Sequence, residues 1–210
     1  MDEIKKIMLG HVAYNIELVI ITPLKSTFKS LIETQEIEEI YEKAFFVNCI
    51  FKINEKKGLI VLAPQGIASK DIIELFENTN ILFFGLAGSL NPKFKIGDFV
   101  EVETAANEEN KNLELVTCGY SPCLLGTTAR NFCDFAKEMD CDVIDMETAY
   151  CAKTANKRNN KFTSLLLISD IPGLINFWEV SEEFQKKLKK GRIDAISKIE
   201  NYINILVRKE

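Results

Sequence analysis

Histidine is almost missing from this chain, basic charge falls short of acidic, and no long apolar run appears anywhere. Each shortage removes a class of function. His11 is the single imidazole, and the six cysteines (Cys49, Cys118, Cys123, Cys133, Cys141, Cys151) form no CxxC pair. Zinc sites draw on closely spaced Cys, or Cys with His, so no metal is expected. With 26 Lys and Arg against 31 Asp and Glu, the net charge is -5. That balance lacks the basic footprint of nonspecific nucleic-acid binding. Lys186-Lys187 and Lys189-Lys190 do cluster, but Glu182 and Glu183 precede them, which is the pattern of a solvated helix face. No apolar stretch approaches the roughly 18 residues of a membrane span. The start, Met1-Asp2-Glu3 followed by Lys5-Lys6 and a short apolar stretch, is not that of a secretory signal. Scattered thiols without such a signal imply a reducing, cytoplasmic setting.

What the chain does have is apolar content, 47% over 210 residues, enough for one core and one domain spanning 1–210. Strand-like and helix-like segments alternate along it. Ile16 to Ile21 reads as a buried strand closed by Thr22-Pro23, and Lys25 to Ile40 as a helix. Phe45 to Ile53 and Leu59 to Leu62 read as strands joined by a turn at Glu55 to Gly58, and Ser69 as the cap of a helix carrying Ile72, Ile73 and Phe76. Ile81 to Phe84 is wholly apolar, as a strand covered on both faces is, and runs into an expected glycine turn, Gly85-Leu86-Ala87-Gly88. Phe99 to Val102, Leu113 to Thr117, Val143-Ile144 and Leu165 to Ile168 complete the expected strands, with a polar loop at 105–111. Helices are expected from Thr127 or Thr128, over Glu147 to Asn156, and over Ser181 to Leu206. The order predicts an α/β domain with a mixed sheet.

Two carboxylates stand at predicted strand ends: one in Asp145-Met146-Glu147, leading into a helix, and one in Ser169-Asp170. Open α/β sheets bind ligands at the carboxyl ends of their strands, so these two and the glycine turn are candidates for one site.

The ordered set resembles the purine nucleoside phosphorylase and methylthioadenosine/adenosylhomocysteine nucleosidase superfamily. Phe84 to Leu90 followed by Lys95-Ile96-Gly97-Asp98-Phe99-Val100 is similar to that family's glycine turn and "VGD" strand start. Asp145-Met146-Glu147-Thr148-Ala149 resembles its "EME(G/A)A" block, Leu167-Ile168-Ser169-Asp170 its "ISD" strand end, and Gln65 to Ser69 the turn before its second helix. The resemblance runs from about Ile16 to Asp170. It implies a three-layer α/β/α phosphorylase-like fold with a central mixed, partly barrel-like sheet. It also implies cleavage of the N-ribosyl bond of a purine nucleoside, a place in purine salvage, no organic cofactor, and a homo-oligomer (a dimer or a trimer of dimers).

Residue by residue, the resemblance makes Asp170 the acid at the purine N7 and sets Glu147, with Met146 and Ser169, around the ribose. Leu124 and Leu125 stand where nucleosidases place a stacking phenylalanine; Tyr120, Phe177 and Trp178 are the aromatic substitutes. Gln65, Gly66, Gly85, Ala87, Gly88 and Ser89, with Ser69, are expected on the nucleophile side as an anion nest of backbone N–H groups. His11 falls in a region from which related phosphorylases lend a histidine to a neighbouring subunit. The chain also departs from the family. Thr27 stands where hydrolytic members carry a water-activating glutamate, with Glu17 and Glu33 as the remaining candidates. Phosphorolytic members carry "GDPxR" where this chain has Thr22 to Thr27. Their phosphate-binding arginine is replaced by Leu82 or Phe83, and the hydroxyl of their "G(S/T)xG" by Leu86. Lys25 or Arg130 is left to serve phosphate, which slightly favours phosphorolysis with inorganic phosphate as co-substrate. Hydrolysis is the alternative reading, and a nucleoside-binding protein that has lost turnover is a third.

Overall fold

The structure is a computed structural model that describes residues 1–12, 14–105, 116–120, 138, 140–175 and 181–208. The expected loop at 105–111 and the helix from Thr127 or Thr128 fall largely outside them.

A short helix α1 (Asp2–Leu9) precedes strand β1 (Ile16–Thr22) and helix α2 (Lys25–Thr34). Strands β2 (Ile37–Tyr41), β3 (Asn48–Ile53) and β4 (Lys56–Leu62) follow as an antiparallel set. A single 3₁₀ turn (Ile67–Ser69) leads into the one-turn helix α3 (Lys70–Ile73). The rest is β5 (Asn80–Ser89), β6 (Phe99–Ala105), β7 (Val116–Tyr120), β8 (Val143–Asp145), helix α4 (Thr148–Lys157), β9 (Lys161–Asp170) and the long helix α5 (Glu182–Arg208).

The strands form one mixed sheet in the order β2-β3-β4-β1-β5-β8-β7-β6-β9. Strand β5 also pairs with β9, so β5, β8, β7, β6 and β9 close into a ring. The sheet's residues alternate between two cores, as the two-residue period of a strand requires. Val19, Ile21, Val61, Phe83, Leu166 and Ile168 face α1, α3 and α4. Leu18, Ile20, Ile60, Phe84, Leu165 and Leu167 face α2 and α5. This is the three-layer α/β/α arrangement. Helix α5 buries Phe184, Leu188, Ala195, Ile199 and Ile203, one stripe at helical spacing. Its outer face carries the Glu182–Lys186 (2.7 Å) and Glu183–Lys187 (2.8 Å) pairs, as the charge run predicts. Among the described residues, no helix is long and apolar enough to cross a membrane.

Three expectations are corrected. The helix expected over Lys25 to Ile40 stops at Thr34: Gln35 is extended, and Ile37–Tyr41 pairs with β3. A bulge between Ile37 and Glu39 breaks the two-residue alternation, and that break imitates helical spacing. The hairpin turn lies at Asn54, with a φ of 54°, and β4 already begins at Lys56. Ser69 does not cap a helix; its hydroxyl donates to the Pro64 carbonyl at 2.7 Å.

The pairing around β5 positions the site. Strand β1 accompanies β5 only as far as Phe83, and β8 joins it only at Gly88 and Ser89. Between them, Phe84 to Ala87 pair with β9 on one side and with no described strand on the other. That divergence opens a gap at the carboxyl ends of β1, β5 and β9, where α/β sheets take their ligands.

Candidate active site

The gap holds a cleft that opens to solvent. Five chain segments wall it. These are Pro23-Leu24 after β1, Gln65 after β4, Leu86 to Gly88 in β5, Ile144 to Glu147 at the β8–α4 junction, and Ser169-Asp170 at the end of β9. Met146, Glu147, Ser169, Asp170, Gln65, Ala87 and Gly88 are thus brought together. Gly66 joins them through its N–H, which donates to Glu147 Oε1 at 2.6 Å.

Glu147 occupies the residue before α4, yet its side chain does not cap that helix. Asp145 takes this work instead: its Oδ2 accepts the Thr148 N–H (3.0 Å) and the Thr148 hydroxyl (2.6 Å). The Thr148 hydroxyl, its proton spent on Asp145, accepts from Ser164 of β9 at 2.9 Å. Glu147 is freed to reach across to Gly66, while its Oε2 meets the Met146 N–H at 3.3 Å. Burial pushes its carboxyl up to about 8, and the Asp145 charge adds to the effect; the Gly66 and Met146 N–H groups pull the other way. Because Asp145 is held by two donors, the pair favours keeping its proton on Glu147.

Gly66 can aim its N–H this way because of an unusual backbone, φ 80° and ψ −159°, which only glycine adopts readily. An added Cβ would meet only Met146 Cε, at 3.5 Å, so crowding is not the constraint. Gly66→Ala is therefore expected to cost about 1–3 kcal/mol of stability through backbone strain alone. Urea unfolding of the two proteins checks this; equal midpoints would contradict the strained geometry.

Asp170 is 4% exposed. The Ser169 hydroxyl donates to its Oδ1 at 2.6 Å. Its Oδ2 is buried and finds no hydrogen-bond partner among the described residues. Burial raises the carboxyl to about 6 against the opposing pull of Ser169. An acid near neutrality with one oxygen unengaged is suited to giving a proton to a ligand in the cleft.

Other candidates are placed elsewhere. Lys25 is exposed on the first turn of α2 and does not line the cleft. Gly85, Ala87, Gly88 and Ser89 form no turn: they continue β5 and pair with β9 or β8, and neither Gly85 nor Gly88 has the positive φ of a nest. Apolar Phe83 and Leu166 close around Gly85, so the strand simply runs on through it. The Ser89 hydroxyl is committed to the carbonyls of Asn91 (2.8 Å) and Phe94 (3.0 Å). Glu17 sits at the opposite end of β1, bonded to Asn80, and Glu33 is exposed at the far end of α2, so neither reaches the cleft. Thr27 is fully buried. His11 stacks on Tyr41 at 4.2 Å and bonds Asn48 at 3.0 Å, away from the cleft. Tyr120 is described only as a strand residue opposite Asp145. Leu124, Leu125, Arg130, Phe177 and Trp178 lie outside the described residues.

Asp145, Pro23, Leu24, Leu86 and Ile144 complete the lining and were not among the expected site residues. Asp145 had a legible signal: it ends a strand two residues before Glu147, as Asp170 ends another. Among the described lining residues there are three carboxylates and no cation. Among the described residues no cluster of His, Cys, Asp or Glu is arranged to hold a metal ion.

Solved structures share this fold. The 5′-methylthioadenosine/S-adenosyl homocysteine nucleosidase of Campylobacter jejuni superposes with a TM-score of 0.70 at 16% identity, covering 93% of this chain and 100% of its own. A futalosine hydrolase mutant of Helicobacter pylori gives 0.71 at 15%, covering 90% and 99%. The nucleosidase of Colwellia psychrerythraea, solved in complex with adenine, gives 0.72 at 13%, covering 91% and 96%. No curated protein matches the chain by sequence. The phosphorylase-superfamily sequence model matches residues 17–122, half of the chain. With that match and the shared fold, the chain belongs to the phosphorylase superfamily of enzymes.

Proposed function

We propose that this protein is a hydrolytic nucleosidase, which breaks the bond between a purine and its ribose with water as the nucleophile. The observation that carries the reading is Asp170: a buried, near-neutral acid with one free oxygen, sharing a cleft with Glu147. Its proton goes to the ring nitrogen N7 as the bond between C1′ and the base breaks and the bonding electrons move into the purine. Positive charge then gathers on the sugar, where the charge shared by Asp145 and Glu147 favours it. Water adds to C1′ from the open side and gives up one proton, which restores Asp170. So cationic a sugar needs only a weak nucleophile, which suits a chain with Thr27 where hydrolytic members carry a glutamate.

The phosphorolysis expected from the sequence gives way on electrostatic grounds. A phosphate anion beside the charge shared by Asp145 and Glu147, with Lys25 outside the cleft, has no counter-charge among the described lining residues. The nucleosidase and hydrolase names of the structural neighbours support the same choice. The test is chromatography of free base released from purine nucleosides with and without phosphate. Equal release in both is expected; release that requires phosphate would restore the phosphorylase reading.

A further inference from the structure

The end of β9 carries an irregularity where it passes Gly88 of β5. Ala87 of β5 pairs with Ile168, but the next residue, Gly88, pairs with Asp170. Ser169 is therefore the extra residue of a β-bulge, a feature that re-aims side chains beside active sites. The Asp170 carboxyl lies over Gly88: a Cβ added there would sit 3.0 Å from Oδ2, 2.8 Å from Pro172 Cγ and 3.0 Å from Pro172 Cδ. Ser169 thus fastens Oδ1, and the space over Gly88 that Oδ2 and the Pro172 ring both border stays open only because residue 88 has no side chain.

Pro172 is not free to yield. It follows Ile171 in a tight turn in which the Leu174 N–H donates to the Ile171 carbonyl at 2.9 Å, and Gly173 has a φ of 84°. Proline followed by a glycine of positive φ is the pattern of a type II turn. Ile171 and Ile175 then exchange two hydrogen bonds, at 2.9 and 2.8 Å, which pin its base. The turn holds the Pro172 backbone in place, so a side chain at residue 88 presses on both the proline ring and the carboxylate oxygen.

We infer that Gly88 and Pro172 are positioning residues for Asp170, together fixing where its free oxygen meets the ligand. This rests on the nucleosidase reading for its catalytic consequence, but the geometry stands without it. Gly88 belongs to the acid, not to the nucleophile. A misplacement of about 1 Å in such a group costs about a hundred-fold in rate.

The test uses three variants of the full chain: Gly88→Ala, Pro172→Ala and the double variant. Two quantities are read from each, the kcat and KM for a purine nucleoside and the carbon-13 resonance of the Asp170 carboxyl titrated in the ligand-free protein. Because the oxygen must give by a few tenths of an ångström, Gly88→Ala is expected to lower kcat several-fold with KM nearly unchanged, and to shift the Asp170 titration. In the Pro172→Ala background the same substitution should cost much less, because the ring is gone. Additive losses, or a lowered kcat with the Asp170 titration unchanged, would overturn the inference. If Gly88→Ala does not fold, Pro172→Ala alone decides: a shifted titration supports positioning, and an unshifted one refutes it. If no nucleoside turns over at all, the titration still reports on the clamp. Asp145 and Glu147, the other ionisable groups of the cleft, are titrated in the same spectra, so a shift confined to Asp170 is recognisable.

Discussion

Replacing Asp170 with asparagine lowers kcat for base release by about a hundred- to ten-thousand-fold, the usual contribution of a positioned general acid. The substitution is nearly isosteric. Ser169 can still donate to the side-chain oxygen, and the amide that replaces Oδ2 can still donate a hydrogen bond to a ring nitrogen. What it cannot do is hand over a proton. Affinity for nucleoside and free purine is therefore expected to change little while the chemical step collapses. The pH dependence has a definite sign. Asp170 must carry its proton to act, and burial raises it to about 6, so kcat/KM in the native protein is highest below that pH and declines as pH rises through it. That limb disappears in the variant. A variant with native kcat, or one that keeps the limb, would show that the proton comes from elsewhere.

Glu147→Gln is expected to move activity and stability in opposite directions. On the activity side, Glu147 is neutral at the pH where Asp170 carries its proton, and a neutral hydrogen bond to a sugar hydroxyl is worth about 0.5–1.5 kcal/mol. The loss is therefore roughly two- to ten-fold in kcat/KM. On the stability side, the carboxyl titrates at about 8 in the folded chain against an ordinary 4.5. The folded state thus holds a proton that the unfolded chain has already released between those values. Stability is full below about 4.5, is withdrawn as pH rises towards 8, and above that the whole penalty of a buried charge remains. A neutral glutamine escapes that penalty, and it keeps an oxygen for the Gly66 N–H. Its melting temperature should equal that of the native protein near pH 4.5 and exceed it by about 5 °C or more above pH 8. Parallel melting curves at all pH values would mean that Glu147 is not the buried acid described here.

Much of the candidate site is legible in the sequence because its polar lining sits in local blocks. Asp145 to Glu147 and Ser169-Asp170 are each short, each at a strand end, and the sheet brings strand ends together whatever lies between. The failures have a common physical cause. Gly85 to Ser89 reads as a turn because glycine breaks strands on average, but here pairing with β9 carries the strand through and Gly88 is spared a side chain to admit Asp170. Propensity is local; that contact joins residues 82 positions apart. The place of Lys25 after the first strand points to phosphate, whereas the sequence carries no sign of which way the first turn of α2 faces. Ile37 to Tyr41 hides its strand pattern for a related reason, since its bulge is fixed by the partner strand. Asp145 is masked in the sequence by Glu147, two residues on, which by itself accounts for the block. Its grip on Thr148, and through it on Ser164, shows only once β9 lies alongside.

The most direct measurement is a turnover carried out in heavy-oxygen water, with a purine nucleoside as substrate and no phosphate present, followed by mass spectrometry of the sugar. The account predicts free purine and a ribose that carries the heavy oxygen at C1. Sugar phosphate formed only when phosphate is added, or a nucleoside that binds yet yields no free base under any condition, would contradict it.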